Sequence, residues 1–390
     1  MEILFWILLG IILYTFLGYG MIITLLAKIK GRKNSYSELE DEDLPSVTLV
    51  VAAYNEEEII DQKVKNCLAL SYPKDKLKIL FVTDGSTDRT VQYLEQYAPQ
   101  IHYAHSPARR GKIAAINRVM PSIDSQITIF CDANVMLNPE AIRLLANPFQ
   151  SNLVAAVSGE KVVRSGADEG ASSSGEGAYW KYESFLKKMD AQWNTLVGSA
   201  GELIALRTIM YQPMEEDTII EDFVMTLRLA ESGYKVSYVS EAKAVEYGSA
   251  SVAEEEKRKV RISAGGIQAI NRLSSLWKVW NHPGLSFQYF SHRVIRWTLM
   301  PLALLLLIPA NVLLWDHGLI YQIILLSQLG FYSLVILGYQ FRERKTKKKW
   351  MHLPFYFIFM HICVIKGWFR YAKGKQAVTW EKAKRLAISE

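Results

Sequence analysis

The sequence predicts an α/β fold with a mostly parallel, doubly wound sheet, in a domain that lies between N-terminal and C-terminal apolar helices. Four short apolar runs of β type alternate with helix patterns between Pro45 and about residue 150. This alternation is typical of parallel strands that are joined by crossover helices. Apolar runs of about twenty residues outside this region are each long enough to cross a bilayer.

The strands and helices of the predicted sheet follow one another regularly. The strand runs read "VTLVVAAYN", "KILFVTDGS", "IHYAHS" and "ITIFCDAN". Helix patterns occupy approximately 56–70, 87–98 and 111–120, and Pro139 marks the start of a fourth helix. In open α/β sheets, ligands bind beyond the carboxyl ends of the strands. We therefore expect the polar residues that follow these strands to share one crevice.

Three apolar runs are predicted to span the membrane: Ile3–Ala27, Trp297–Trp315 and Leu319–Phe341. The first is interpreted as a retained helix and not as a cleaved signal, because no basic residues precede it and several follow it. A fourth run at 350–369 contains two histidines, a proline and a lysine. It is either a span or a re-entrant segment, and the basic tail that follows it favours the latter.

These features predict the organisation of the chain. The expected order is an N-terminal helix at 1–28, a cytosolic domain at 45–270, an amphipathic interface helix at 271–293, a transmembrane hairpin at 294–341, the fourth segment at 350–369 and a basic tail at 370–390. Basic residues beside the spans place the protein in the inner (plasma) membrane as a multi-pass protein, with the middle domain in the cytoplasm.

Composition limits the partners. The formal net charge of +6 is concentrated beside the apolar runs, which indicates membrane lipids and no nucleic acid. The three cysteines have no metal-binding spacing and are expected to be reduced structural thiols. The stretch "SGADEGASSSGEG" at 165–177 predicts a flexible loop.

Several polar motifs follow the predicted strands or begin helices. Asp132-Ala133-Asn134 ends the fourth strand, "DGSTDRT" at 84–90 follows the second, and "ARRGK" at 108–112 brings cations beside a glycine. Such groups suit a nucleoside and its phosphates near a helix N-terminus. Each motif also has a structural alternative: an aspartate after a strand often caps a helix, and "EEEKRKVR" could be a solvated helix face.

Taken together, the motifs resemble the family-2 inverting glycosyltransferases of the GT-A fold. The stretches "AAYNEEE", "DGSTDRT", "GKIAAIN", "FCDAN", "GSAGELIALR", "IIEDF" and "EEEKRKVRISAGG" occur in that family's order. The resemblance is to the membrane-integrated branch that includes the hyaluronan, cellulose, chitin and poly-N-acetylglucosamine synthases. It implies a GT-A-type fold and sugar transfer from a nucleotide donor.

The resemblance also implies roles for individual residues. On the donor side these are Tyr54, Glu56, Asp84 and Lys112 for the nucleotide, and Asp132 with Asn134 for a Mg²⁺ or Mn²⁺ cofactor. The resemblance further implies Asp222, preceded by Glu221, as the catalytic base that acts on the acceptor. It implies that Arg258 and Arg261 hold the departing phosphates of the donor.

The sequence departs from the family pattern at two positions. Asn134 replaces an aspartate, which is expected to weaken metal binding, and Ile262 replaces a tryptophan that stacks on the acceptor sugar in polymerising relatives. Tyr179 and Trp180 are candidate substitutes for that aromatic platform.

The expected function is transfer of a hexose or N-acetylhexosamine from a UDP-sugar to a growing β-linked polysaccharide, with the polymer exported through the membrane. One alternative is transfer of a single sugar to a polyprenyl-phosphate-linked or glycolipid acceptor. An alternative of another class is a non-catalytic subunit that only binds a sugar nucleotide.

Overall fold

The computed structural model describes residues 1–31, 36–164, 171–248, 251–342 and 352–374. The strands are β1 Val47–Ala53, β2 Leu77–Asp84, β3 His102–Ser106, β4 Ile127–Asp132, β5 Met136–Leu137, β6 Val154–Arg164, β7 Leu203–Arg207 and β8 Lys235–Tyr247. The α-helices are α1 Glu2–Leu13, α2 Tyr19–Lys30, α3 Ile60–Leu68, α4 Thr90–Gln96, α5 Lys112–Val119, α6 Ala141–Ala146, α7 Ala171–Trp193, α8 Glu221–Glu231, α9 Val252–Arg272, α10 Pro283–Tyr289, α11 Ile295–Trp297, α12 Leu299–Val312, α13 Leu319–Gln340 and α14 His352–Ala372.

The described strands form one eight-stranded sheet in the order β3-β2-β1-β4-β7-β6-β8-β5. The four strands predicted from the sequence are confirmed, and they pair in parallel as β3-β2-β1-β4. The second half of the sheet is mixed, because β7 runs antiparallel to both of its neighbours, β4 and β6. In that half β6 and β8 pair in parallel, whereas β5 runs antiparallel to β8. Four of the seven strand pairs are therefore parallel, in agreement with the expected mostly parallel sheet.

Helices cover both faces of this sheet, as a doubly wound fold requires. Alternation along β1 sends Leu49 and Val51 into one core, with α3, α4 and α6. It sends Val50 into the other core, with Ile116 of α5 and Val224 of α8. Burial of β1 on both faces explains why its sequence is continuously apolar.

Among the residues that the structure describes, three helical segments are long and apolar enough to cross a membrane: Glu2–Lys30, Leu319–Gln340 and His352–Ala372. In the first, α1 and α2 join through a π-helical turn at Tyr14–Gly18. A further candidate is the pair Pro283–Trp297 and Leu299–Val312, which is bent by 51°.

The predicted interface helix at 271–293 is not one helix. The chain leaves α9 at Arg272, forms a 3₁₀ turn at Ser274–Trp277 and starts α10 at Pro283. Proline lacks a backbone N–H and therefore begins a helix but cannot continue one. Trp277 and Trp280 are 51% and 74% exposed, so this segment presents aromatic side chains at its surface without a continuous helix.

The predicted loop at 165–177 is wrong in its second half. Residues 171–177 begin α7, while 165–170 lie outside the described residues. Serine and glycine have weaker helix preferences than alanine, but α7 continues through Leu186, which packs against Tyr19 and Ile23 of α2. Tertiary packing of the helix thus outweighs the local composition.

Candidate active site

One cavity of about 1800 Å³ opens at the carboxyl ends of β1, β2 and β4. All the site residues singled out from the sequence line it, namely Tyr54, Glu56, Asp84, Lys112, Asp132, Asn134, Tyr179, Trp180, Glu221, Asp222, Arg258 and Arg261. The cavity extends to side chains of the apolar helices, among them Phe16 and Phe357. A crevice shared by the strand-end residues, as expected from the sequence, is therefore observed.

The loops after β1 and β2 hold each other at the edge of the cavity. Asn55 adopts a φ of 52°, a left-handed conformation that asparagine tolerates better than most residues. Its Oδ1 accepts a hydrogen bond from the Thr87 backbone N–H at 2.8 Å. The Glu56 backbone N–H donates to Thr90 Oγ1, also at 2.8 Å. These bonds fix the polar motif at 84–90 against the first strand.

Asp84 ends β2 and is buried. Its Oδ2 accepts two backbone hydrogen bonds, from Arg110 at 2.8 Å and from Gly111 at 2.6 Å. Its Oδ1 has no hydrogen-bond donor in the part of the chain that the structure describes, and it lies 3.9 Å from Nη1 of Arg118. A buried carboxylate oxygen without a donor is costly unless a ligand supplies one.

Arg109 is a cavity residue that the sequence reasoning did not select. Its guanidinium lies 3.9 Å from the centre of the Tyr54 ring. The contact depends on Gly85, whose φ is +70° and whose added Cβ would come within 2.6 Å of the Arg109 Cβ. The run of cations in "ARRGK" was the available signal, but the sequence could not tell which arginine faces Tyr54.

Lys112 links the two carboxylate motifs. Its Nζ lies 2.7 Å from Asp132 Oδ1 and 2.9 Å from Glu221 Oε1. Burial would lower the pKa of Lys112, but the two carboxylates raise it, so the amine remains charged. Burial would likewise raise the pKa of Glu221, yet Lys112 holds it below its ordinary value.

Asp222 has a different environment from its neighbour Glu221. Burial, together with the negative charges of Glu221 and Glu202, raises the pKa of Asp222 to about 7. The backbone at Gly201 approaches it so closely that an added Cβ would lie 3.2 Å from the Asp222 Cγ. A carboxylate with this pKa can accept a proton near neutral pH. Glu202 was missed because its effect depends on how the loop before β7 folds.

The two arginines of α9 have different partners. Arg258 pairs with Glu246 at 3.0 Å and Glu255 at 2.9 Å. Burial lowers the pKa of Arg261, while Glu221, Asp132 and Asp222 favour its charged form. Arg261 therefore belongs to the carboxylate centre, whereas Arg258 is held at its margin.

Tyr179 and Trp180 lie on α7 beside a group of lysines. The Trp180 ring centre is 5.2 Å from Lys161 Nζ, 5.3 Å from Lys187 Nζ and 5.5 Å from Lys259 Nζ. These rings form an aromatic, electropositive part of the cavity wall.

The residues present fit a hard divalent cation. Asp132 and Asn134 offer oxygen ligands to the same cavity, and Lys112 contacts Asp132 through its Oδ1. No cluster of three His, Cys, Asp or Glu side chains occurs among those residues. Such a site would have to complete its coordination with phosphate oxygens and water, as magnesium sites commonly do.

Comparison with known proteins agrees with this geometry. Residues 48–210 match the family model described as glycosyl transferase family 2. A beta-monoglucosyldiacylglycerol synthase from Nostoc sp. is 27% identical over 216 residues, which is 52% of this chain and 45% of the relative. A poly-beta-1,6-N-acetyl-D-glucosamine synthase from Staphylococcus aureus is 23% identical over 221 residues, which is 54% of this chain and 52% of the relative.

The matched segment thus spans about half the length of these relatives. Among solved structures, the mannosyltransferase PcManGT from Pyrobaculum calidifontis, in complex with GDP-Man and Mn²⁺, shares the fold with a TM-score of 0.72 and 19% identity. The alignment covers 95% of this chain and 99% of that chain. Family match, fold and the carboxylate centre agree, and residues 48–210 are a family-2 glycosyltransferase domain with the GT-A fold.

Proposed function

We propose that this enzyme transfers a hexose or N-acetylhexosamine from a UDP-sugar to a hydroxyl acceptor that the membrane supplies, with inversion at the anomeric carbon. The observation that carries the proposal is the cavity itself. It joins Asp84, Asp132 and Asp222 at one end to Phe16 and Phe357 of the apolar helices at the other. A polar donor and a lipid-linked acceptor could therefore meet inside one chamber.

Asp84 is proposed to bind the uracil base. Its Oδ1 is buried without a donor among the described residues, and uracil carries a ring N–H that would supply one. Arg109, stacked on Tyr54, adds a planar cation at this end of the cavity. Asp132 and Asn134 would hold Mg²⁺ or Mn²⁺, which neutralises negative charge on the diphosphate leaving group when bound. Lys112, fixed between Asp132 and Glu221, adds a second positive charge there.

Asp222 is proposed to be the base. A sugar or lipid hydroxyl has a pKa far above 7, so its attack requires a group that takes the proton. Asp222 would accept that proton while the hydroxyl oxygen bonds to the anomeric carbon and the bond to UDP breaks. Attack from the side opposite the diphosphate gives a β-linkage from an α-linked donor. Arg261, close enough to interact with Asp222 and Asp132, would steady the charges that develop.

The cavity favours a lipid-linked acceptor that receives one sugar. Its far end is lined by apolar side chains of α14 and by Phe16, which suits an acyl or prenyl chain. Synthesis of a β-linked polysaccharide is the second candidate, because Tyr179 and Trp180 offer a stacking surface in the same wall. The names of the sequence relatives include both a glycolipid synthase and a polysaccharide synthase.

We further propose that the catalytic domain is cytoplasmic and that α14 lies in the membrane interface. Lys28 and Lys30 end the first apolar segment on that side. Along its length α14 packs on α9, from the Tyr356 hydroxyl at 3.3 Å from Glu255 to the Tyr371 hydroxyl at 3.2 Å from Asn271. Since α9 carries residues that line the cavity, α14 stays beside the catalytic domain along its length. It therefore does not cross the bilayer as a separate helix.

A UDP-release screen tests the proposal. The full chain in phosphatidylcholine vesicles that also contain diacylglycerol and phosphatidylglycerol as hydroxyl acceptors is incubated with UDP-glucose, UDP-N-acetylglucosamine or UDP-galactose, with Mn²⁺ or Mg²⁺. At least one donor should release UDP, and chromatography of radiolabelled product should show a one-sugar lipid. Long products would support the polysaccharide candidate instead. No turnover with any donor, under conditions where the chain is folded, would refute sugar transfer from UDP-sugars.

A further inference from the structure

A second group of cations lines the cavity on the side that faces the apolar helices. Arg293 and Arg296 are each 7% exposed and both reach Glu183 of α7. Arg296 Nη1 donates to Glu183 Oε2 at 2.8 Å, and Arg293 Nη2 donates to Oε1 of the same carboxylate. Lys187, one turn further along α7, also lines the cavity and has no carboxylate at ion-pair distance in the described part of the chain. Glu183 thus faces three cationic side chains, and Glu160 and Glu202 are the other carboxylates whose charges act on Lys187.

The guanidinium groups are also incompletely hydrogen-bonded. Nε and Nη2 of Arg296 and Nε of Arg293 have no acceptor among the residues that the structure describes. Buried charged donors without acceptors are costly to the folded state. An anion with several oxygens, such as a phosphate, could accept hydrogen bonds from all three of these nitrogen atoms.

These arginines are connected to the proposed base through intervening residues. Arg293 packs against the backbone of Gly198, where an added Cβ would meet its Nη2. The same loop continues to Gly201, which contacts Asp222. A second connection runs through Trp297, whose ring lies 5.2 Å from that of Phe223, the residue after Asp222.

On the other side, the arginines meet apolar surface. The Arg296 guanidinium lies 5.9 Å from the ring centre of Phe16 in the first apolar segment. Phe16 in turn contacts Phe357 of α14, with ring centres 4.8 Å apart. The cavity wall therefore runs from a carboxylate, through two arginines, to the apolar helices. That order is the order of groups in a lipid with a hydroxyl, a phosphate and hydrocarbon chains.

We propose that Arg293 and Arg296 bind the phosphate of an acceptor lipid whose free hydroxyl is presented to Asp222. The proposal rests on the proposed sugar transfer and specifies its acceptor class. The phosphate serves as a handle and not as the nucleophile, because a phosphate oxygen is already ionised at neutral pH and needs no base. In the step itself, Asp222 takes the hydroxyl proton, the hydroxyl oxygen bonds to the anomeric carbon, and UDP departs with the electron pair of the broken bond.

The test compares acceptors of matched hydrocarbon content. The full chain is placed in phosphatidylcholine vesicles with the active UDP-sugar and equal surface densities of diacylglycerol or phosphatidylglycerol. Both lipids have a free hydroxyl, but only in phosphatidylglycerol does a phosphate lie between the hydroxyls of the headgroup and the acyl chains. We expect kcat/KM to be at least tenfold higher with phosphatidylglycerol. Phosphatidic acid, which has the phosphate but no free hydroxyl, should inhibit transfer competitively. Soluble glycerol 3-phosphate should be a poor acceptor, which separates a lipid headgroup from a free phosphate.

The matched variants are Arg296→Gln and Arg228→Gln. Arg228 lies on α8, pairs with Glu215 at 2.6 Å and does not line the cavity. Arg296→Gln should raise KM for phosphatidylglycerol about tenfold or more, with little change in kcat and none in UDP affinity. Arg296→Lys should recover part of the loss, and Arg228→Gln should behave as wild type.

The outcomes separate the two proposals. Equal use of diacylglycerol and phosphatidylglycerol by the wild type, with no inhibition by phosphatidic acid, overturns the phosphate site and leaves sugar transfer intact. Glycerol 3-phosphate acting as well as phosphatidylglycerol overturns the lipid assignment. Failure of every UDP-sugar to turn over overturns the proposed function itself. The wild-type comparison decides the question even if Arg296→Gln does not fold.

Discussion

The rate of sugar transfer should follow the ionisation of Asp222. With a pKa of about 7, this carboxylate is about 90% ionised at pH 8, half ionised at pH 7 and about 10% ionised at pH 6. Because only the ionised form can take a proton, kcat/KM should fall about tenfold between pH 8 and pH 6. An aspartate with an ordinary pKa near 4 would show almost no change over this interval.

Glu202 provides the matched perturbation. Its negative charge is one cause of the raised pKa of Asp222, so Glu202→Gln should move the acid limb of the profile to lower pH. The assay is the initial rate of UDP release between pH 5.5 and 8.5 at constant ionic strength. Asp222→Asn gives the rate without the base, which should be about 10²-fold or more below that of the wild type. A wild-type profile that stays flat to pH 5.5, or a limb that Glu202→Gln moves upward, would refute the reasoning.

Three further predictions concern stability, the nucleotide loop and the metal. A carboxyl group whose pKa is higher in the folded chain than in the unfolded chain destabilises the fold when it is ionised. Asp222→Asn should therefore raise the apparent melting temperature at pH 8 but not at pH 4, and a melting temperature below that of the wild type at pH 8 would contradict this. Gly85→Ala places a Cβ 2.6 Å from the Cβ of Arg109 and should weaken UDP binding at least tenfold in calorimetry. The control is Gly10→Ala, whose added Cβ has no atom within 4 Å and which should bind UDP as the wild type does. EDTA should stop transfer and excess Mn²⁺ or Mg²⁺ should restore it, with Asp132→Asn needing more metal; full activity in EDTA would exclude the proposed cation.

The amino-terminal half of the fold could be predicted because its signals are local. Each parallel strand is a short apolar run that ends in a polar residue, as Asp84 and Asp132 do. Since the carboxyl ends of such strands meet at one edge, their convergence followed from topology alone. Glu221 and Asp222, in the first turn of α8, could also be recognised from a local signal, because acidic residues there precede the apolar residues of a helix.

The rest depended on contacts between distant residues. The antiparallel entry of β7 between β4 and β6 is set by packing, and no local pattern in "LIALR" reveals its direction. Glu202 influences Asp222 because the loop before β7 folds beside α8. Arg109 and Arg293 each depend on a glycine with positive φ: Gly85 leaves room for the backbone and Cβ of Arg109, and Gly198 leaves room for the guanidinium of Arg293. Sequence shows the glycine and the arginine, but only the fold shows that they meet.

The central claim is that Asp84 binds the nucleotide and Asp222 takes the proton within one cavity. The most direct test is to measure UDP binding by calorimetry for the wild type, Asp84→Ala and Asp222→Asn, each as the full chain. We predict that the wild type binds UDP, that Asp84→Ala weakens binding tenfold or more, and that Asp222→Asn binds within about twofold of wild type while transfer is lost. Absence of UDP binding to the folded wild type, or equal binding by Asp84→Ala, would contradict the proposed site.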